Sequence, residues 1–356
     1  MSKESFEFPR VSIIILNWNG WRDTVECLES VYRIDYPNYD VIVVDNASHD
    51  ESIQKIKEYA QGKLKVKSKF FDYNPENKPI KVFELDEREA LNGKFNRPLY
   101  EKYDSDRRMI LIRNRGNYGY AGGNNVGIKF ALGVLNPEYV LILNPDTVVE
   151  PSMVRDLIDT AENDKKAGIL GPAVLYYDYN GRSDVVDFAG AFLIPWKGRE
   201  VRLGCKRPLH FLPKTPVEVD KVEGSCMLVK GDVFLSVGLF DEAFFCYWEE
   251  TDLCVRTKQK GFKLLTVPTT RIWHKKSTST GGGLSKFYVY HFYRNKLWFL
   301  RKNYPKSIFV AHIIYTIIYE TPFKFVQLVL KYKAIRTFIK YLFGIRDGMF
   351  KFGFRD

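Results

Sequence analysis

The sequence predicts an α/β protein built on a mostly parallel sheet flanked by helices, and three observations predict it. Short, continuous apolar runs rich in Val, Ile and Leu recur: VSIIILNW (11–18), DVIVVDNAS (40–48) and YVLILNPDTVV (139–149). Such runs mark strands covered on both faces. A helical period separates the first two, and strand–helix–strand order demands a parallel pair with a right-handed crossover. Polar residues gather where the runs end, which is where open parallel sheets bind ligands.

The elements follow in order. The first run ends in Asn17 and Trp18. After a polar turn, TVECLESVYRI (24–34) places Val25, Leu28, Val31 and Tyr32 on one helical face. The second run ends in Asp45 and Asn46, and SIQKIKEYA (52–60) reads as a second helix. Residues 62–108 break the rhythm. They are rich in Lys, Asp and Asn, hold three prolines and lack a sustained period. They are expected to be a surface insertion. The sheet resumes at MILIRN (109–114). GNYGYAGGNNVGIKFAL (116–132) is a Gly/Asn loop running into a helix, with glycines that do not follow the dinucleotide fingerprint. YVLILNPDTVV is expected as one strand with an acidic end, and Pro151 as the start of the next helix. AGILGPAVLYY (167–177) is a further strand, and a loop-rich stretch runs to about 218. VEGSCMLVKGDVFLSVG (222–238) reads as a strand and a helix. CYWEETDLCVRTKQKG (246–261) reads as a helix with an acidic start and a basic end, in accord with its dipole. FKLLTVP (262–268) is the last strand.

Charge is placed unevenly. Residues 255–356 hold 21 Lys/Arg and 3 Asp/Glu, a net of +18 in a chain whose total is +11. This basic third is also rich in Tyr, Phe and Trp. Basic residues mixed with aromatics suit an anionic membrane surface or nucleic acid. Phe325, Leu328, Val329, Tyr332, Ile335, Phe338 and Ile339 recur at helical intervals between lysines, which favours the membrane over nucleic acid. Packing of that apolar face on the rest of the protein is the alternative. Five scattered cysteines without a C-x-x-C pair argue against a disulfide framework or a zinc ribbon and suit a reducing compartment. MSKESFEFPRVSIIIL has no signal-peptide pattern, and no stretch reaches about 18 clean apolar residues, so no spanning helix is expected.

The chemistry gathers at the strand ends. A short acidic motif after a buried strand, as in LNPDTVV, is how a hard divalent cation is held beside a diphosphate, since phosphates and waters supply the remaining oxygens. EETDLC adds Glu249, Glu250 and Asp252 within four residues. Carboxylates this close cost energy unless a cation, a helix N-terminus or a catalytic task accounts for them. IWHKKSTSTGGG puts His274 after a strand and before a Gly-rich loop, where a metal ligand is a reasonable reading beside a structural one.

In order, VSIIILNWNG, VIVVDNASHDES, NYGYAGGNN, LNPDTVV, EGSCMLVK, EETDLCVR and WHKKSTST resemble the motifs of the inverting family 2 glycosyltransferases, in particular their rhamnosyltransferase-like branch. The resemblance covers about residues 9–300 without 62–108. It implies a GT-A fold, Rossmann-like, with a glycosyltransferase domain over 1–300 and a basic, aromatic helical extension over 301–356. It implies that Asp45 accepts from a pyrimidine base, with Asn17, Asn117, Gly122, Gly123, Asn124 and Asn144 around the nucleotide. Asp146 stands at the metal-binding aspartate, in an N-P-D version of D-x-D, and His274 at the histidine completing that site, for Mg²⁺ or Mn²⁺. Glu250 stands where the family has its catalytic aspartate, so Glu249 and Glu250 are both candidates for the base. Gly224, Ser225, Trp248 and Asp252 fall to the sugar and acceptor pocket.

The expected partners are a nucleotide diphosphate sugar, dTDP- or UDP-linked, and a glycan or lipid-linked acceptor, with no nucleic acid. The expected place is the cytoplasm, peripheral on the inner face of the cell membrane. A non-catalytic nucleotide-sugar or glycan-binding protein on the same scaffold is the alternative. A nucleotidyltransferase is disfavoured, because NWNGWRD lacks a basic Gly-rich loop after the first strand.

Overall fold

The computed structural model describes residues 8–276 and 285–351. The end of WHKKSTST and the Gly-rich loop after it lie outside the described residues. The strands are β1 (Val11–Asn17), β2 (Tyr39–Asp45), β3 (Lys81–Asp86), β4 (Arg108–Arg113), β5 (Tyr139–Leu143), β6 (Thr147–Val149) and β7 (Ala167–Tyr176). They continue as β8 (Val186–Phe188), β9 (Ala191–Ile194), β10 (Arg199–Arg202), β11 (Val217–Glu218), β12 (Cys226–Lys230) and β13 (Lys263–His274). The main helices are α1 (Trp21–Val31), α2 (Ser52–Ala60), α3 (Gly119–Phe130), α4 (Met153–Asn163), α5 (Gly231–Val237) and α6 (Glu249–Gln259). Three more follow: α7 (Lys286–Asn303), α8 (Lys306–Lys331) and α9 (Ile335–Phe350).

The sheet runs in the order β11-β13-β7-β12-β5-β1-β2-β4-β3. β5, β1, β2, β4 and β3 pair parallel, as the strand–helix alternation requires. β13 and β7 also pair parallel, whereas β12 between β5 and β7 is antiparallel to both. Side chains alternate across this sheet. Ile13, Ile15, Val41, Val43 and Leu111 face one layer with Val25, Leu28, Ile56 and Leu157 from α1, α2 and α4. Ile14, Ile42, Val44, Ile110 and Ile112 face the other, with Val126, Ile128, Val233 and Leu253 from α3, α5 and α6. Burial on both faces is why these strands read as unbroken apolar runs.

The sequence reading needs correction in several places. Residues 62–108 are more than a surface excursion. They supply β3, a parallel edge strand in continuous register with β4. Its exposed Lys81, Glu84 and Asp86 hide it from an apolar-run search. The segment is anchored by the Tyr100 hydroxyl, which donates to buried Asp40 at 3.0 Å, and by a Lys78–Glu29 pair at 3.2 Å. The run 139–149 is two strands, because Asn144–Asp146 turn the chain out of the sheet. Pro151 lies two residues before α4 instead of opening it. The last strand does not stop near 268; β13 passes a bulge after Val267 and continues to His274. The stretch to 218 holds β8 and β11 on the sheet and a β9–β10 hairpin.

The C-terminal region departs most. The expected division at residue 300 falls inside α7. α8 is long and apolar enough to cross a membrane, with only 17% of its apolar window buried. A search for uninterrupted apolar residues missed it because His312, Thr316, Glu320 and Lys324 interrupt the run. Of the residues expected on one apolar face, Leu328 is buried while Phe325, Tyr332, Ile335 and Ile339 are exposed.

α3 sits close on the sheet, and its glycines make that possible. A Cβ at Gly127 would lie 2.8 Å from Ile14 Cγ2 and 3.0 Å from Val44 Cγ2. Gly127→Ala is therefore expected to add about 1–3 kcal/mol of overpacking strain. That exceeds the ~1 kcal/mol that helix propensity returns. Urea denaturation of the variant will show a lower midpoint at an unchanged slope.

Candidate active site

β6 brings the first two site residues together. It pairs antiparallel with the end of β13, so Thr147 lies opposite His274. Asp146, one residue earlier, then meets the imidazole, with Oδ1 3.2 Å from Nε2. The Lys275 amide donates to the Asp146 carbonyl at 2.9 Å and closes the turn. Two acids that sequence reasoning did not select join them. Ligand atoms of Asp187 on β8, Glu223 before β12 and His274 lie within 4.8 Å of one another. Lys276 Nζ donates to Asp187 Oδ1 at 2.6 Å. Asp187 Oδ2 and His274 Nδ1 are buried without a hydrogen-bond partner.

The charges in this cluster strain against one another. Burial pushes the Glu223 carboxyl up, and the Asp187 charge adds to it. Burial presses the His274 imidazole down, but Asp146, Glu223 and Asp187 outweigh it and raise the pKa above its ordinary value. Asp187, Glu223 and His274, with an unused buried oxygen on Asp187 and an unused buried nitrogen on His274, form a donor set that fits a divalent cation, and Asp146 adjoins it through the imidazole.

A second cluster forms at the start of α6. Trp248 takes a left-handed conformation (φ 77°) and turns the chain into the helix. Glu249 is buried, and its Oε2 has no hydrogen-bond partner. Burial, and then the charge of Glu250, hold its carboxyl well above the ordinary range. Glu250 is half-buried and paired, with Oε1 3.1 Å from Lys221 Nζ. Lys221 also meets Glu200 of β10 at 3.1 Å, and Arg202 meets Glu200 at 2.6 Å. Burial presses the Lys221 ammonium down, but Glu250 and Glu200 prevail and raise it.

Residues 221–226 join the two clusters. Lys221 reaches Glu250 and Glu223 reaches His274. A Cβ on Gly224 would lie 3.4 Å from Glu250 Cβ, and the Tyr120 hydroxyl donates to the Gly224 carbonyl at 2.6 Å. Ser225 Oγ donates to Glu223 Oε2 at 3.1 Å, and its carbonyl accepts from the Asn144 amide at 2.9 Å. Gly224, Ser225 and Asn144, expected in the sugar pocket and at the nucleotide, thus lie between the two clusters.

Two acceptor-pocket expectations do not fit. Asp252 is fully buried and engaged with Arg256 at 2.7 Å, Asn303 at 2.8 Å and Lys302 at 3.1 Å, so it locks α6 to α7. The Trp248 ring packs on Phe292 and Phe299 of α7, which makes it part of the wall instead of an open sugar platform. Behind that wall, buried Asn295 donates to the carbonyls of Phe244, Cys246 and Tyr247 at 2.7, 2.7 and 3.0 Å. It fixes the loop that precedes the two glutamates.

At the ends of β1 and β2, Asn17 Nδ2 donates to Asp45 Oδ1 at 2.7 Å. Ser48 donates to both Asp45 oxygens, at 2.6 Å from Oγ and 3.0 Å from its amide. Asp45 Oδ2 keeps capacity for another donor. Asn46 binds Asn117 Oδ1 at 2.9 Å and the Gly119 carbonyl at 3.1 Å, and it accepts from Asn114 at 3.1 Å. Asn117 is exposed at this edge. Gly122 and Gly123 are different. Cβ atoms there would lie 2.7 Å from Tyr118 Cβ and 2.6 Å from Leu16 Cδ1, so close packing within the protein, not approach to a ligand, accounts for them. Asn124 is fully buried and donates to the Tyr120 carbonyl at 2.9 Å, inside the helix.

Signals for the missed residues were faint. Asp187 interrupts the apolar VVDFA, an acid whose burial calls for a partner. Glu223 lies in EGSCMLVK, where the small Gly224 and Ser225 carry the more visible signal. Lys221 has no local signature.

Residues 12–99 and 95–214 match the model of glycosyl transferase family 2, more than half of the chain, so the chain belongs to that family. Among curated relatives, the low-salt glycan biosynthesis hexosyltransferase Agl10 of Haloferax volcanii is 29% identical over 55% of this chain and 62% of its own length. The N-acetylglucosaminyl-diphospho-decaprenol L-rhamnosyltransferase of Mycobacterium tuberculosis is 32% identical over 40% of this chain and 49% of its own length. These matches therefore span about half to three-fifths of those relatives. Among solved structures, the mannosyltransferase PcManGT from Pyrobaculum calidifontis, in complex with GDP-Man and Mn²⁺, superposes with a TM-score of 0.52 at 14% identity. It covers 97% of this chain and 88% of its own. GalNAc-T7 with UDP, GalNAc and Mn²⁺ gives 0.55 at 16% identity, covering 83% of this chain and 48% of its own. Both likenesses are of fold, and the fold is the expected GT-A arrangement.

The buried state of Glu249 predicts a pH dependence. An unfolded glutamate titrates near about 4.3. The folded pKa of Glu249 lies above its ordinary value, so its contribution to stability is lost as pH rises from there through the folded value. Glu249→Gln will lose less stability than the parent as pH rises above about 5, read as urea midpoints.

Proposed function

We propose that this member of glycosyl transferase family 2 moves a sugar from a nucleotide diphosphate sugar to an acceptor hydroxyl, with inversion at the anomeric carbon. The observation that carries this reading is the loop 221–226, whose Lys221 pairs with Glu250 while its Glu223 joins the acid–histidine cluster.

Glu250 is the base in this reading. It is partly accessible and has a cationic partner, whereas Glu249 is buried and burial holds its carboxyl above the ordinary range. As the acceptor oxygen bonds to the anomeric carbon, its proton passes to the Glu250 carboxylate. The oxygen enters opposite the nucleoside diphosphate, which leaves with the electron pair of the broken bond. One displacement inverts the centre. Lys221 holds Glu250 in place through its second pair with Glu200. Asp146 and His274 would hold a divalent cation, Mg²⁺ or Mn²⁺, with Asp187 and Glu223 in reach. When bound, such an ion supplies positive charge beside the diphosphate. Asp45, steadied by Asn17 and Ser48, receives the base, and Asn117 and Asn144 border the nucleotide.

Relatives named as rhamnosyltransferases support rhamnose as the sugar, among them WbbL of Escherichia coli, 27% identical over 53% of this chain, and the dTDP-rhamnosyl transferase RfbF of Shigella flexneri supports dTDP as the carrier. A relative whose name includes a diphospho-decaprenol supports a lipid-linked acceptor. A non-catalytic binder on the same scaffold is the competing reading.

Variant kinetics separate these readings, and binding measurements test the donor and metal sites. Glu250→Gln is expected to lower kcat by roughly 10²–10⁴-fold, while Glu249→Gln stays within about tenfold of the parent. Equal losses, or none, would reassign the base. Calorimetric titration with UDP, dTDP and GDP should show binding of a pyrimidine diphosphate that Mn²⁺ strengthens. Asp187→Asn should weaken Mn²⁺ binding by about 10-fold or more, measured with the metal alone. No binding of any of the three nucleotides would sink the donor site.

A further inference from the structure

The stretch of α8 from His312 to Glu320 is inside out. The most deeply buried side chains of α8 before Thr321 are polar: His312, Thr316 and Glu320 follow one another turn by turn and are 0, 1 and 5% exposed. They face α7. Lys296 of α7, itself buried, donates to both Glu320 oxygens at 2.8 and 2.7 Å. The Thr316 hydroxyl lies 3.3 Å from His312 Nε2 and 3.4 Å from Glu320 Oε2. His312 Nδ1 lies 3.3 Å from the Trp196 carbonyl. The apolar side chains point the other way: Ile317 is 65% exposed, Phe323 58% and Leu330 63%.

α9 has an apolar outer side as well, while its inner side packs Tyr341 on Val289 and Tyr293 of α7. Gly344 and Gly348 bring it against the backbone of α7, where Cβ atoms would lie 2.7 Å from the Tyr290 carbonyl and 2.8 Å from that of Arg294. Ile335, Ile339 and Phe350 are exposed on its outer side. Among the described residues, 15 of the 26 exposed large apolar side chains lie between Val310 and Phe350. That concentration marks an interaction surface, not scattered exposure. Exposed Lys306, Lys331, Lys333, Arg336 and Lys340 accompany it.

We propose that the outer face of α8 and α9 sits in one leaflet of an anionic bilayer, with α8 lying in the membrane plane instead of crossing it. Length does not decide between the two, since α8 is long enough to cross. The polar stripe does. A crossing helix meets lipid around its circumference. That would either strip Glu320 from Lys296 or draw both charges into hydrocarbon with α7. Lying in plane leaves the stripe on the protein and gives only the apolar face to lipid. A second copy of the chain is a poorer occupant, because two such faces would bring their lysines and arginines together. The docking deepens the reading of a membrane-held acceptor and rests on it only for its purpose; it is measured without sugar transfer.

The test uses the full chain and sealed vesicles of phosphatidylcholine with and without phosphatidylglycerol. The chain should float with the anionic vesicles, and added salt should weaken this. Ile317→Asp with Phe323→Asp should lower the bound fraction about tenfold or more at an unchanged melting temperature, since both side chains are exposed. Protease added outside the vesicles should remove a C-terminal tag. A chain that stays at the bottom overturns the proposal. So does a protected tag, which would mean crossing, or a soluble dimer that the double variant dissociates. A chain that floats but transfers no sugar supports the docking and counts against the transferase reading alone.

Discussion

The pairing of β6 with the end of β13 is the constraint on which the site depends. The sheet itself would carry β5 straight past the strand ends. Asn144–Asp146 instead turn the chain aside, and the antiparallel register then leaves one way for Asp146 to face His274. The bulge after Val267 lets β13 keep its parallel partner β7 and still reach β6. β8, paired on the other side of β7, adds Asp187 to the same point. The cluster is therefore a product of strand register, and its members come from four separate parts of the chain.

The second half of the site is held from behind. α6 carries the two glutamates, and its start is fixed by Asn295 on α7, which binds three consecutive-loop carbonyls. Asp252 ties the same two helices through Arg256, Lys302 and Asn303. Lys221 then couples Glu250 to Glu200 on the β9–β10 hairpin. That hairpin also touches α8, through the Trp196 carbonyl and His312. The apolar outer face and the glutamate cluster thus share one connected framework, with α7 at its centre.

How much of this was legible follows from where the information resides. The strands buried on both faces carry their signal locally, and β1, β2, β4, β5 and β12 stand within a few residues of where their apolar runs put them. Strand-end logic drew attention to Asp45, Asp146 and His274, and the motif order supplied the rest. Asp187 and Lys221 gain meaning only from strands and pairs that form in three dimensions, so no local pattern exposes them. Gly122 and Gly123 were misread because a glycine needed for helix–sheet contact looks the same in sequence as one that admits a ligand. α8 was misread for a related reason. Its polar residues interrupt the run but share one inward face, so a run-length rule sees a broken segment where the helix presents a continuous apolar surface.

The most direct measurement is a crystal structure of the full chain with a pyrimidine nucleoside diphosphate and Mn²⁺. The account predicts the ion within ~2.5 Å of both Asp146 and His274. It predicts the diphosphate against loop 221–226, with the Glu250 carboxylate facing the open side. An ion that leaves Asp146 and His274 untouched, or a nucleotide seated away from that loop, would contradict it.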